Sequence, residues 1–135
     1  MKTIFIVDDE EGIRDIFETI LKIYFRDSIR SGALQIIKSE DGSRAVENAR
    51  LVKPDFVLMD VKMPVMDGIE AFYEMKKLNN NQPVKTFFIT GFASDGDIGR
   101  RMDKAISDGA LGMLAKPISS PDLRKLVDDH LSLTS

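Results

Sequence analysis

At 135 residues the chain has the length of one ordinary domain, and 43% hydrophobic residues suffice for a core. Its 22 acidic and 19 basic residues leave a net charge of −3, without the basic surplus of a dedicated nucleic-acid binder. Absent cysteine removes disulfides, thiolate chemistry and cysteine-based zinc, and a single histidine removes a multi-histidine metal site. The chain opens with four apolar residues, Ile4-Phe5-Ile6-Val7, then meets Asp8-Asp9-Glu10-Glu11, an acidic run that ends any secretory segment. No later apolar run approaches the ~18 residues of a spanning helix, so a soluble, cytoplasmic protein is expected.

Ile4–Val7 reads as the first strand, and Ile13, Ile16, Phe17, Ile20, Leu21 and Tyr24 draw one stripe on a helix from about Gly12 to Phe25. Arg26–Ala33 is a longer connection than a strand–helix unit needs. Leu34–Ile37 is the second strand; Ala45, Val46, Ala49 and Val52 mark the second helix, with Ser43 as its cap. Phe56–Met59 is the third strand, followed by a helix entered through Asp67 and marked by Ile69, Phe72 and Tyr73. After a polar loop over Asn79–Pro83, Phe87–Ile89 is the fourth strand. Ile98, Met102, Ala105 and Ile106 mark a fourth helix behind Ser94 or Asp95. Ala110–Leu114 is the fifth strand. Leu123, Leu126, Val127 and Leu131 mark the last helix, with Ser120 as cap and Pro121 at its first position. The apolar runs are continuous rather than alternating, as suits strands covered on both faces. Five alternating pairs predict an α/β domain over residues 1–135: a parallel sheet with right-handed crossovers and helices on both faces.

In such a sheet every strand's carboxyl end lies on one edge, where α/β proteins place their sites. Asp8 and Asp9 follow the first strand, Asp60 the third, Thr90 the fourth and Lys116 the fifth. Topology alone therefore brings five distant residues to one rim. Two carboxylates ~4 Å apart repel by about 4 kcal/mol at an effective dielectric of 20. A hard cation relieves that repulsion, and Mg²⁺ (or Mn²⁺) suits an open site of a few carboxylates and waters. With a lysine and a threonine as added donors, the pattern points to phosphoryl transfer onto an aspartate.

Three stretches carry a resemblance to a known family. They are Ile4–Arg14, then Asp55–Pro64 with Met66-Asp67-Gly68, and Gly109–Pro117. In this order and spacing they resemble the receiver (CheY-like) domains of two-component response regulators. The resemblance implies a flavodoxin-like sandwich with strand order 2-1-3-4-5. It implies that Asp60 accepts a phosphoryl group from a sensor histidine kinase or a histidine phosphotransfer protein. Asp9 would ligate Mg²⁺ directly, Asp8 largely through water, and the Lys62 backbone carbonyl would complete the protein ligands. Lys116 and Thr90 would each hold a phosphate oxygen. Pro117 would follow a cis peptide bond, and Gly68 would let the loop beyond Asp60 pass close to the next helix. The expected output is a changed surface on the fourth helix, fifth strand and fifth helix that binds a downstream protein, with no direct nucleic-acid contact and no membrane insertion.

The sequence departs from the family at Met113, where an aromatic residue is usual; a methionine switches by packing alone, or another side chain such as Phe92 takes the role. Lys62, two positions past Asp60, either holds phosphate oxygens or projects into solvent. Asp41-Gly42 and Asp108-Gly109 read as ordinary turns, Glu10-Glu11 as a complement to the helix dipole, and His130 as a surface or C-terminal-turn residue. The methionines Met59, Met63, Met66, Met75, Met102 and Met113 read mainly as core and loop packing.

Three functions fit the pattern to different degrees. A phospho-accepting switch, catalysing only its own phosphorylation and dephosphorylation, leads. A Mg²⁺-dependent phosphatase with an aspartyl-phosphate intermediate would need an acid where Lys62 stands. A docking module that is never phosphorylated would have no use for the full set of acids, Thr90 and Lys116. The end at Ser135, just past the last helix, leads to the expectation of a stand-alone receiver or one excised from a longer regulator, without an output domain.

Overall fold

The computed structural model describes residues 1–91 and 96–131. Among them the elements run β1 (Lys2–Val7), α1 (Glu11–Tyr24), α2 (Arg26–Arg30), β2 (Leu34–Ser39), α3 (Gly42–Leu51), β3 (Phe56–Asp60), α4 (Gly68–Leu78), β4 (Thr86–Thr90), α5 (Gly96–Ser107), β5 (Gly112–Ala115) and α6 (Ser120–His130). The strands form one parallel sheet in the order β2-β1-β3-β4-β5, as the resemblance implied.

Strand side chains alternate between faces, so each continuous apolar run feeds two cores. Phe5, Val7, Val57, Met59 and Phe88 point to one layer, closed by Ala45 and Val46 of α3, Phe72 and Met75 of α4, and Met102 of α5. Ile4, Ile6, Phe56, Leu58 and Ile89 point to the other, closed by Phe17 and Leu21 of α1 and Leu123 and Val127 of α6. The six internal methionines all belong to or pack against the α3–α5 layer, in line with their reading as packing residues.

Differences from the sequence reading are local. The connection Arg26–Ala33 contains α2, a single turn that seats Phe25 in the core and packs Ile29 against it. Helix α3 is capped by Asp41, whose carboxylate accepts from the Arg44 N–H at 2.8 Å, not by Ser43. Asp41-Gly42 is therefore the start of a helix rather than a plain turn, and the Gly42 N–H reaches across to the Met66 carbonyl at 3.1 Å. At α6 the cap is Ser119, whose hydroxyl accepts from the Asp122 N–H, one place before the expected Ser120; Pro121 moves to the second helical position. Strand β5 begins at Gly112 because Ala110 still closes the turn after α5, its N–H bonded to the Ala105 carbonyl. Ser94, Asp95 and Phe92 lie outside the described residues. The extra helix makes the expected output face α5–β5–α6.

Candidate functional site

Strand register builds the site. Val7 lies beside Met59 in the β1–β3 pair, so Asp8, the next residue, stands beside Asp60 at the end of β3. Asp60 in turn pairs with Ile89, one step before Thr90. Thr90 pairs with Ala115, and its carbonyl accepts from the Lys116 N–H at 2.7 Å, which carries Lys116 to the same rim. The peptide bond between Lys116 and Pro117 is cis, as expected.

Side-chain contacts then close the group. The Lys116 ammonium lies 2.7 Å from Asp8 Oδ2 and 3.5 Å from Asp60 Oδ1. Asp60 Oδ1 also accepts from the Val61 N–H at 2.9 Å, and Asp8 Oδ1 accepts from the Glu10 N–H at 2.9 Å. Asp8 and Asp60 are only 1% and 6% exposed, whereas Asp9 is exposed. Thr90 is 3% exposed at the end of β4. One carboxylate oxygen from each of Asp8, Asp9 and Asp60 falls within 4.8 Å of the others. This donor set, all oxygen and anionic, fits a hard divalent cation and not a soft one.

The electrostatics follow. Burial first, then the charge of Asp8, push the Asp60 carboxyl from an ordinary 3.8 up to about 7; Lys116 pulls it down and Asp9 adds to the push. Burial opposes the charged form of Lys116, but its hydrogen bond to Asp8 and the charges of Asp60 and Asp8 outweigh burial and raise its pKa. One lysine thus leaves the acid cluster only partly compensated.

The neighbouring loop is shaped by Gly68. Its N–H donates to the Val61 carbonyl at 2.9 Å, and a Cβ there would run into the Asp60 carbonyl and meet Met59 Cγ at 2.7 Å. Only glycine lets α4 start this close to the phosphoacceptor candidate. Lys62 is exposed on this loop. Met113 is half-buried against the α3–α5 layer, beside Phe88. His130 lies in the last turn of α6, where its Nδ1 is 2.8 Å from the Leu126 carbonyl and its ring packs on Phe56 and Phe87, remote in the chain from the acids.

Two contacts were invisible in the sequence reading. Arg14 Nη1 donates to the Asp8 backbone carbonyl at 2.7 Å, and Arg101 on α5 pairs with Asp67 at 2.9 Å. The 34-residue separation of the second pair leaves no local pattern. Arg14 closes the stretch Ile4–Arg14, six positions beyond Asp8, where a first-turn side chain folds back toward its own loop. A groove of about 440 Å³ between α4 and α5, walled by Met66, Ile69, Tyr73 and Arg101, contains none of the rim residues.

The chain resembles several known proteins along nearly its whole length. It is 30% identical over 131 residues to the chemotaxis protein CheY of Halobacterium salinarum, covering 97% of this chain and 98% of that protein. It is also 30% identical over 132 residues to sporulation initiation phosphotransferase F of Bacillus subtilis, covering 98% and 95%. Among solved structures, a CheY-like receiver domain protein of Methanospirillum hungatei has a TM-score of 0.77 at 22% identity, over 96% of this chain and 92% of that one, a likeness of fold. The family description that matches residues 4–128 is the response regulator receiver domain, and the chain belongs to that family of two-component signalling proteins.

Proposed function

We propose that the chain is a cytoplasmic phospho-accepting switch, in which Asp60 takes a phosphoryl group from a phosphohistidine on a kinase or phosphotransfer protein. The observation that carries this reading is the placement of Asp60 at the carboxyl end of β3: its carboxylate is paired with Lys116 and within 4.8 Å of two further acids.

An Asp60 carboxylate oxygen attacks phosphorus, the P–N bond to the donor histidine breaks, and the electron pair leaves on the imidazole nitrogen. Asp8, Asp9, Asp60 and the Lys62 carbonyl would hold Mg²⁺, which when bound neutralises charge on the transferring oxygens. Lys116 supplies a cation to one phosphate oxygen, and the Thr90 hydroxyl supplies a donor to another. The Val61 N–H holds the nucleophile's orientation throughout. Water then attacks phosphorus, the P–O bond to Asp60 breaks and inorganic phosphate leaves, which restores the carboxylate, so the only catalysis is of the chain's own phosphorylation and dephosphorylation.

Donor docking is supported by a shallow depression of about 340 Å³ between α1 and the start of α6, where Ile16 is 54% exposed. Output runs through α5–β5–α6: Thr90 and Lys116 end the strands beside it, and Arg101 ties α5 to the loop after Asp60. A phosphate that draws Thr90 and Lys116 inward shifts the populations of two arrangements of that face, to be read by a protein partner.

Incubation with acetyl phosphate and Mg²⁺, followed by mass spectrometry of the intact chain, tests the reading. A phosphoryl adduct is expected, and it should vanish in Asp60→Asn. Turnover of added phosphate esters without an adduct would favour a phosphatase, and neither adduct nor turnover would leave a docking module.

A further inference from the structure

We propose that Arg14 is a positioning residue for the acid pair: its guanidinium, bonded to the peptide that joins Asp8 to Asp9, sets how tightly the rim binds a divalent cation. This rests on the metal-assisted reading above.

The bond is short, 2.7 Å from Arg14 Nη1 to the Asp8 carbonyl oxygen, and partly buried. That carbonyl shares its peptide plane with the N–H of Asp9. Holding the oxygen therefore fixes the plane from which Asp9 projects. Asp8 is held independently: its N–H donates to the Ser39 carbonyl at 3.1 Å, its Oδ1 accepts from Glu10 and its Oδ2 pairs with Lys116. Asp9 is exposed, so its direction depends on the backbone that carries it.

Arg14 is well placed for the task. Its own N–H is bonded to the Glu10 carbonyl at 3.1 Å, so its Cα is fixed at the start of α1. A cation this near a helix N-terminus faces the positive end of the dipole, which is unfavourable unless anions lie in front of it. Here they do. Groups that orient metal ligands without touching the metal commonly change metal affinity by about 10- to 100-fold.

Calorimetric titration of the full chain with MgCl₂ tests this. Arg14→Ala should weaken binding about tenfold or more, and Arg14→Lys, which keeps the charge and a donor, should recover part of it. Arg44→Ala, which removes an exposed cation paired with Glu40 and Glu47, should bind as the parent does. With acetyl phosphate, the Mg²⁺ concentration for half-maximal phosphorylation should rise by the same factor while the rate at saturating Mg²⁺ stays near the parent's. A merely destabilised fold would instead lower the saturated rate. Should Arg14→Ala not fold, Arg14→Gln, uncharged with a similar stem, takes its place. Mg²⁺ affinity within about twofold of the parent overturns the role of Arg14. Absence of Mg²⁺ binding in the parent itself overturns the metal-assisted reading first.

Discussion

Lys62 and Lys116 show how much a lysine's effect depends on where its ammonium lies. Lys116 has a side chain 19% exposed and two carboxylates within 3.5 Å, so it belongs to the site's charge balance. Lys62 is exposed on the loop just past β3, two positions after Asp60, where a phosphoryl group on Asp60 would add negative charge. Exposed ion contacts contribute roughly 0.2–1 kcal/mol, so Lys62→Asn should shorten the lifetime of the phosphorylated chain by up to about fivefold. Following loss of the adduct with time measures it, and an unchanged half-life would mean that Lys62 does not act on the phosphoryl group. The rim acids, Thr90 and Lys116 were readable because parallel strands converge by topology, whatever lies between them. Arg14 was not, since a side chain reaching back to a backbone carbonyl leaves no periodicity or composition signal.

The start of α4 is where an element and the site share a residue. Asp67 accepts from the Glu70 N–H at 2.8 Å as helix cap, and its other oxygen pairs with Arg101 at 2.9 Å. Asp67→Ala removes both contacts, and should cost about 1–2 kcal/mol by urea unfolding, at the upper end for a cap. Arg101→Gln keeps the cap and removes only a half-exposed ion pair, so it should cost less than about 1 kcal/mol. Equal losses from the two would mean that the bridge to α5, and not the cap, is what Asp67 contributes. Caps also mark where the sequence was hardest to read. Ser119 and Ser120 are adjacent and chemically alike; Ser119 caps because its extended backbone (φ −76°, ψ 155°) lets its hydroxyl meet the Asp122 N–H. The five residues of α2 are too few for helical spacing to repeat, so Ile29 reads from the sequence as an apolar residue in a connection. The strands were legible for the opposite reason, since burial on both faces makes them unbroken apolar runs.

At the scale of the whole molecule, the sheet puts a partly compensated acid cluster at the edge of two well-packed cores, so a cation held there would link metal binding to stability. Folding raises the Asp60 pKa from 3.8 to about 7 when no cation is present. The folded chain then keeps a proton that the unfolded chain releases near 3.8. The stability that this proton contributes is complete below about pH 4, declines as pH rises, and is lost above about 7. A divalent cation held by Asp8, Asp9 and Asp60 would act in the opposite sense, because it would compete with the proton for the same oxygens and bind only the folded chain. At about 100 times its Kd it should add about 2.7 kcal/mol, or roughly 10 °C in melting temperature for a domain of this size. The gain should therefore be large at pH 8 and small at pH 5. Asp60→Asn should flatten the pH dependence between 4 and 7 in chelator-treated protein, raise the melting temperature at pH 8 without metal, and shrink the Mg²⁺ effect. Thermal melts of the two proteins at pH 5 and 8, with EDTA and with MgCl₂, give all of these differences. A Mg²⁺ shift equal at both pH values would show that the ion binds away from Asp60, and no shift at either would remove the metal from the site.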